Sequence, residues 1–396
     1  MPGDAPAIVQ PQLTVRFVTG LDEFDTLRTG WEAMERAQAS DDALFFQSFA
    51  WCRHVARIRL GRSADRFRLH IATVHEGARL AAIWPLSLQK QAGLWTLRNL
   101  DAPFGQLAGI LCRQPSSIEP AVAAVLAKVR AGRLAEAFDI ANVIEASPLH
   151  CALIAVGAKT NGSNEIVQVD MRSAPDFAAY QRTLNAKTRK NLRNAMNRLT
   201  RHGDVEHAVL DARDGGVHGG AGRLSGLIKQ TFDGRVAWMR DLGKSTDAFR
   251  DAEFRPLIET VCTADGLRPL GFELRVRGEV IASQWGFEHE GRYYAYISAR
   301  DQGHDQFSPG RLHLGQVIEA CKVRGLDILE LMAPAARYKL MWTDRVVNTH
   351  DLSRSLTLRA RVTLGALNFA LPAARACARA LPRSLKSRLA HKVNSG

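Results

Sequence analysis

Apolar positions recur along this chain with two alternating periods. Residues 13–18 alternate apolar and polar as a strand does, while residues 22–38 place Phe24, Leu27, Trp31 and Met34 on one side of a helix. A second helix is predicted over 47–60, with Ser48 as its N-cap. Residues 66–75 and 79–88 read as a hairpin around Gly77. Strands follow at 95–100, 106–111 and 137–143, with a helix over 120–130. From residue 166 the plan restarts. Strand 166–170 leads to a helix from 174, a basic helix 187–202 stopped by Gly203, and strand 205–210. Residues 214–222 hold five glycines and read as a flexible loop or lid. Helices 224–232 and 248–264 and a hairpin of strands 267–276 and 279–288 complete the second half. The common order of strand, helices, meander and further helix predicts an internal duplication of structure, not a short sequence repeat.

The segment 293–343 is the most informative. A strand-like run containing Tyr293, Tyr294 and Tyr296 passes through a polar turn to Phe307, Ser308, Pro309, Gly310 and Arg311, which open an apolar helix over 312–324. A second strand, 326–332, leads to Tyr338, Lys339 and Trp342. Strand, turn, helix and strand in this order put backbone N–H groups and a helix N-terminus beside a sheet, where a phosphate can be held. A pyrophosphate-bearing donor such as an acyl-coenzyme A fits that geometry. The segment is neither a P-loop, since no Gly-Lys-Ser/Thr follows, nor a G-x-G-x-x-G fingerprint.

Composition bounds the rest. A length of 396 residues with 46% hydrophobic content suits two packed domains. No apolar run is long enough to cross a membrane, and the N-terminus lacks the basic and apolar regions of a secretory signal. The six cysteines are scattered without a C-x-x-C pair, which argues against a zinc site and a disulfide framework and makes a reducing cytoplasm the expected compartment. Histidine spacing gives no metal pattern. The net charge of +13 is concentrated: residues 181–202 carry +7 and residues 351–396 carry +8, leaving −2 over the rest. A general nucleic-acid binder spreads its charge over a whole face instead.

Several pieces taken together resemble the GNAT-like acetyltransferases of the CelD/BcsL family, associated with cellulose biosynthesis and related to FemAB-type aminoacyl transferases. They are Phe46, Gln47, Ser48, Phe49, Ala50 and Trp51; Ala82, Ile83, Trp84, Pro85 and Leu86; Lys187, Thr188, Arg189, Lys190, Asn191, Leu192 and Arg193; Ser308, Pro309, Gly310, Arg311 and Leu312; and Tyr338 and Lys339 with Trp342. The resemblance covers about residues 13–350. It implies an α/β fold with mixed sheets and two tandem GNAT-like lobes, transferring an acetyl or longer acyl group from acyl-coenzyme A to an amine or hydroxyl. It also implies a setting in exopolysaccharide, cellulose or cell-envelope synthesis. Where relatives place an acid before the Tyr-Lys pair, this chain has Ala335, Ala336 and Arg337.

The expected division is a loose lead-in 1–12, a first lobe 13–165, a second, donor-binding lobe 166–355 and a basic amphipathic tail 356–396. Ser308, Pro309, Gly310, Arg311 and Lys339 are the candidate donor-binding residues: Gly310 admits close backbone approach and Arg311 adds a cation. Ser308 as a plain N-cap and Lys339 as a surface lysine are the bland alternatives. The resemblance implies that Tyr338 protonates the departing thiolate; packing against Trp342 is the alternative. Glu288, Asp301 and Glu330 are the candidate general bases, because a half-buried carboxylate has a raised pKa. Gln284, Trp285, Tyr296 and Trp342 are candidates for the acceptor cleft. Lys187, Arg189 and Lys190 are candidates for an anionic substrate or carrier, against a solvated helix face. Two other readings stay open: a transferase using aminoacyl-tRNA, and a non-catalytic accessory of polysaccharide assembly. In the latter the segment 364–393 would lie on the inner face of the membrane.

Overall fold

One proline separates the two sheets of the first half. The computed structural model describes residues 13–38, 44–214 and 220–366; the lead-in 1–12, the middle of the glycine loop and the tail beyond 366 lie outside the described residues. The first half supplies β1 (Leu13–Val18), β2 (Phe67–Leu69), β3 (Ile71–Glu76), β4 (Arg79–Trp84), β5 (Leu86–Gln91), β6 (Leu94–Asn99), β7 (Leu111–Cys112) and β8 (Ala137–Ile144). Then come β9 (Lys159–Asp170), β10 (Val205–Asp211), β11 (Pro269–Val276), β12 (Glu279–His289), β13 (Arg292–Arg300), β14 (Ile328–Met332) and β15 (Val346–Ser355). Pro85 has no N–H to give a ladder, so the expected hairpin splits there. Its near half joins a four-stranded sheet ordered β1-β3-β4-β7, and β2 and β5 join a separate eleven-stranded sheet. The expected strand 106–111 contracts to β7 and a single bridge from Ala108 to Val143.

The helices are α1 (Leu21–Thr26), α2 (Arg28–Ala37), α3 (Leu44–Gln47), α4 (Phe49–Arg62), α5 (Ile118–Ala131), α6 (Pro148–Ala155), α7 (Phe177–Thr183), α8 (Ala186–His202), α9 (Gly220–Asp241), α10 (Asp247–Arg250), α11 (Phe254–Glu259) and α12 (Pro309–Val323). The expected helix 248–264 is broken into α10, α11 and a 3₁₀ turn. Pro256 fits only a first turn, so a fresh helix starts just before it.

The large sheet is ordered β10-β11-β12-β13-β14-β9-β15-β8-β6-β5-β2. Each half repeats one unit: the β5–β6 hairpin, α5, then β8 parallel to β6; and the β12–β13 hairpin, α12, then β14 parallel to β13. The closing strands are exchanged. β9, which follows β8, pairs with β14, while β15, which follows β14, pairs with β8. β9 and β15 also pair with each other. The expected lobe boundary at 165/166 therefore falls inside the continuous strand β9, and β15 completes the sheet of the opposite half.

One apolar cluster spans both halves. Phe45 stacks on Phe287 at 4.5 Å and Phe104 on Phe254 at 5.2 Å, with Trp51, Trp285, Tyr294 and Tyr296 between them. This cluster explains the motif beginning at Phe46. Ser48 caps α4 by accepting from Trp51 N–H at 3.3 Å, Gln47 donates to the Leu107 carbonyl at 3.0 Å, and Trp51 Nε1 donates to Asp101 at 2.8 Å.

Two carboxyls are trapped at this seam. Burial pushes Asp101 up to about 7 against the Trp51 hydrogen bond, and pushes Glu35 up to about 7 against the Phe49 N–H. Both folded values lie above the unfolded ones, so between about pH 4 and 7 the native state binds more protons and stability falls as pH rises. Asp101→Asn keeps the acceptor for Trp51 and removes the buried ionisation. It should raise Tm at pH 8 by more than at pH 5. An equal shift at both pH values in a calorimetric scan would contradict a titrating buried Asp101.

Candidate functional site

β13 and β14 part company early. They pair only over Arg292–Ile328, Tyr293–Leu329 and Tyr294–Glu330. A register shift between Trp285 and Gly286 sets one residue of β12 against two of β13, which bends β13 away from its neighbour. The far end of β13 runs on to Arg300 with no ladder to β14, and β14 stops at Met332, held at φ +58°. Into this opening the segment after β14 brings Tyr338. Its ring packs half-buried against the cluster beneath α12. Burial raises the Tyr338 pKa, with Arg235, Ser298 and Arg300 pulling the other way. Gln284 sits opposite Ser298 across the β12–β13 ladder, hence on the same face, and is 7% exposed.

The turn after β13 enters α12 at Ser308, whose backbone is left-handed (φ 56°) and whose side chain caps nothing. Ser308 is thus not the ordinary N-cap offered by the bland alternative. Pro309 takes the first helical position and Gly310 and Arg311 the next two, where N–H groups lack helical acceptors. A Cβ on Gly310 would meet only Arg300 Cδ, at 3.8 Å, so the protein's own packing does not demand a glycine there.

α8 lies alongside. Asn185 caps it by accepting from Lys187 N–H at 2.8 Å, and Leu192, Ala195 and Leu199 bury one stripe in the core. The neighbouring stripe, Asn191, Asn194, Arg198 and Arg201, lines a cavity of about 470 Å³ together with Ser308, Arg311 and Met341. Among the described residues, Arg198, Arg201 and Arg311 have no carboxylate within ion-pair distance, and no acid lines the cavity. Arg198 and Arg201 from α8 and Arg311 from the first turn of the 15-residue α12 thus bring positive charge to a helix N-terminus, the kind of place where an anion is stabilised.

Other candidates fall elsewhere. Lys339 is buried, and its Nζ donates to the Leu331 and Met332 carbonyls at 2.6 and 2.8 Å; burial, then Arg235, lowers its pKa to about 7. It ties down the end of β14 and does not reach the cavity. Glu330 is 0% exposed and accepts from Arg292 at 2.9 Å and from Gln168, so its carboxylate is committed to a buried pair. Glu288 lies at the opposite end of β12, among Arg213, Arg268 and Arg324. Asp301 caps the turn after β13; the Gly303 N–H and then His304 lower its pKa, the wrong direction for a base. Trp285 is fully buried, and Tyr296 donates to the Phe104 carbonyl at 2.9 Å within the shared aromatic cluster. Trp342 is 2% exposed and packs against Gly315, where a Cβ would come within 2.7 Å of the indole. Trp285 and Trp342 are core rings and Tyr296 is half-buried beside the shared cluster, and none of the three is among the residues lining the arginine cavity. Lys187, Arg189 and Lys190 occupy the first turn of α8, outside the cavity lining, and Arg189 donates to the Arg182 carbonyl at 2.6 Å. Asn191, Asn194, Asn197, Arg198 and Arg201 line it instead. Their signal was present: they flank the Leu192, Ala195 and Leu199 stripe and so border its contact with the neighbouring helix.

Known proteins fit this architecture. Residues 186–340 match the acetyltransferase (GNAT) domain family. FemX aligns with a TM-score of 0.54 at 11% identity, over 85% of this chain and 96% of FemX. A tandem GNAT protein from the clavulanic acid biosynthesis pathway aligns at 0.51 and 12%, over 87% and 99%. A C-terminal domain ascribed to lysylphosphatidylglycerol synthetase from Agrobacterium fabrum aligns at 0.51 and 13%, over 89% and 97%. No curated protein matches the sequence. The fold is therefore a mixed α/β arrangement of two GNAT-like lobes. Nothing in these matches singles out the CelD/BcsL family.

Proposed function

We propose that the protein is an acyltransferase that takes an acetyl or longer acyl group from acyl-coenzyme A and gives it to an amine or hydroxyl. The observation that carries this reading is the cavity of about 470 Å³ at the start of α12, lined by three arginines without an ion-pair partner among the described residues, on the helix that links β13 to β14. Arg198, Arg201 and Arg311 would hold the donor's phosphates, with the Gly310 N–H close to them. The unladdered edge of β13 offers backbone groups to the extended arm of the donor, as any open strand edge does. The thioester would then lie by Tyr338, and backbone N–H groups would stabilise the oxyanion formed by direct attack of the acceptor. Tyr338, kept protonated by burial, would supply the proton to the departing thiolate. Cys321, the cysteine of α12, is not suited to carry the acyl group: it is fully buried, with its pKa pushed well up by that burial.

A second reading, aminoacyl transfer from charged tRNA, is favoured by Lys187, Lys190 and Arg193, which are exposed on α8 outside the cavity. The setting in cellulose, exopolysaccharide or envelope synthesis is supported by the motif resemblance alone. No described helix is long and apolar enough to cross a membrane.

Calorimetric titration with acetyl-coenzyme A and a long-chain acyl-coenzyme A tests the first reading. Arg311→Glu replaces a charge-assisted contact by repulsion and should weaken binding by about 10- to 100-fold. Gly310→Trp should abolish it. A folded wild type that binds neither donor would end the acyl-coenzyme A reading. RNA binding that falls steeply with salt would then favour the second.

A further inference from the structure

We propose that the first lobe carries a docking site for anionic phospholipid, in which a headgroup phosphate sits in a second arginine-lined cavity. This inference stands apart from the donor reading. The cavity, of about 190 Å³, lies where β15 ends and a helix over residues 358–366 begins. Arg130 comes to it from the last turn of α5, Arg354 from the end of β15 and Arg361 from the helix. Among the described residues none of the three has a carboxylate within ion-pair distance. Arg354 is fixed in place: its guanidinium donates to the Val156 carbonyl and lies over Gly157, where a Cβ would meet it at 3.1 Å. Arg359, by contrast, is engaged by Glu136 at 2.8 Å. Thr357 accepts from the Ala360 N–H at 3.1 Å, so a properly started helix points its N-terminal turn at the cavity.

Charge alone would suit any phosphate. The rim decides between sources. Leu358 is 73% exposed and Val362 63% exposed, one helical turn apart, whereas Ala360 on the same helix is fully buried against Leu94 and Ala137. Single exposed apolar side chains are ordinary. Two of them set beside an uncompensated arginine cavity form the pairing that a bilayer surface satisfies, with phosphates for the cations and acyl chains for the apolar tips. The chain also continues from this helix into residues 367–396, which contain six Lys or Arg and no Asp or Glu. That sequence adds long-range attraction to an anionic surface without belonging to the site.

Flotation of the full-length protein with vesicles tests this. One set is phosphatidylcholine alone, the other about one third phosphatidylglycerol. The protein should partition onto the anionic vesicles and not the neutral ones. Arg130→Gln with Arg361→Gln should lower partitioning about 25-fold, at roughly fivefold per arginine. Leu358→Ser with Val362→Ser, at exposed positions that cannot unfold the lobe, should lower it several-fold. Neutralising Arg383, Lys386 and Arg388 in the full chain should reduce binding but leave it sensitive to the cavity variants. Three results would overturn the proposal: no preference for anionic vesicles; unchanged partitioning of cavity and rim variants that keep the wild-type Tm; or inorganic phosphate binding without vesicle binding, which would mark a free-anion site.

Discussion

Tyr338→Phe is expected to lower kcat by about 10²-fold or more while leaving the affinity for acyl-coenzyme A nearly unchanged. The hydroxyl is the only group the substitution removes. The ring keeps its place against the cluster beneath α12, and Tyr338 is not among the residues lining the arginine cavity, so folding and donor binding should be little changed. An alkyl thiolate is a poor leaving group until it is protonated, and a positioned donor contributes in the range of 10²- to 10⁴-fold. Release of free thiol, followed with whichever acceptor turns over, reads the effect. A purely structural role would also depress the rate, so a second readout is needed. A donor with a more acidic aryl thiol leaves without a proton, and the variant should recover most of its rate with it. If kcat stays within about twofold of wild type, or the aryl donor gives no recovery, Tyr338 is an aromatic anchor and the proton comes from elsewhere.

The strand–turn–helix–strand segment carrying Tyr338 was legible because each element has a strong local signature: a strand-like run rich in tyrosine in β13, Pro309 and Gly310 at the helix start, and a mostly apolar run for β14. The helix α8 was legible for the same reason. What failed was everything decided by distant partners. Lys339 next to Tyr338 has the look of a phosphate ligand, yet the turn after β14 folds its ammonium back onto two strand-end carbonyls. Glu330 stands within a fully buried strand, and such a carboxylate survives only with a buried partner; Arg292, 38 residues earlier, supplies it. The first-turn cations of α8 are counted equally with Arg198 and Arg201 by composition, and only the packing against α12 sorts the two groups. The exchange of β9 and β15 has no local signal at all, because either strand's alternation is satisfied by any neighbour that covers the same faces.

Trp51→Ala is expected to cost about 3–5 kcal/mol, because a large aromatic side chain leaves a cavity that the surrounding elements cannot collapse to fill. Trp51 is fully buried, and its ring meets Phe45, Phe46, Phe287 and Tyr296, so the loss is felt by elements of both halves. The substitution also takes the Nε1 donor from Asp101. That carboxyl is already held near neutral pH by burial, so losing the donor raises its pKa further, and the acid simply stays protonated. Trp51→Phe separates the two contributions: it keeps most of the apolar volume and should cost far less than Trp51→Ala. Urea unfolding followed by fluorescence and far-UV circular dichroism measures both. Since β15 closes the sheet of the first half and β9 that of the second, neither half has a complete sheet without the other. Wild type and variant should therefore each unfold in one transition, with the midpoint displaced and the slope retained. Two separated transitions, or a cost near 1 kcal/mol, would mean that the halves fold independently and that the aromatic seam is only a contact between finished domains.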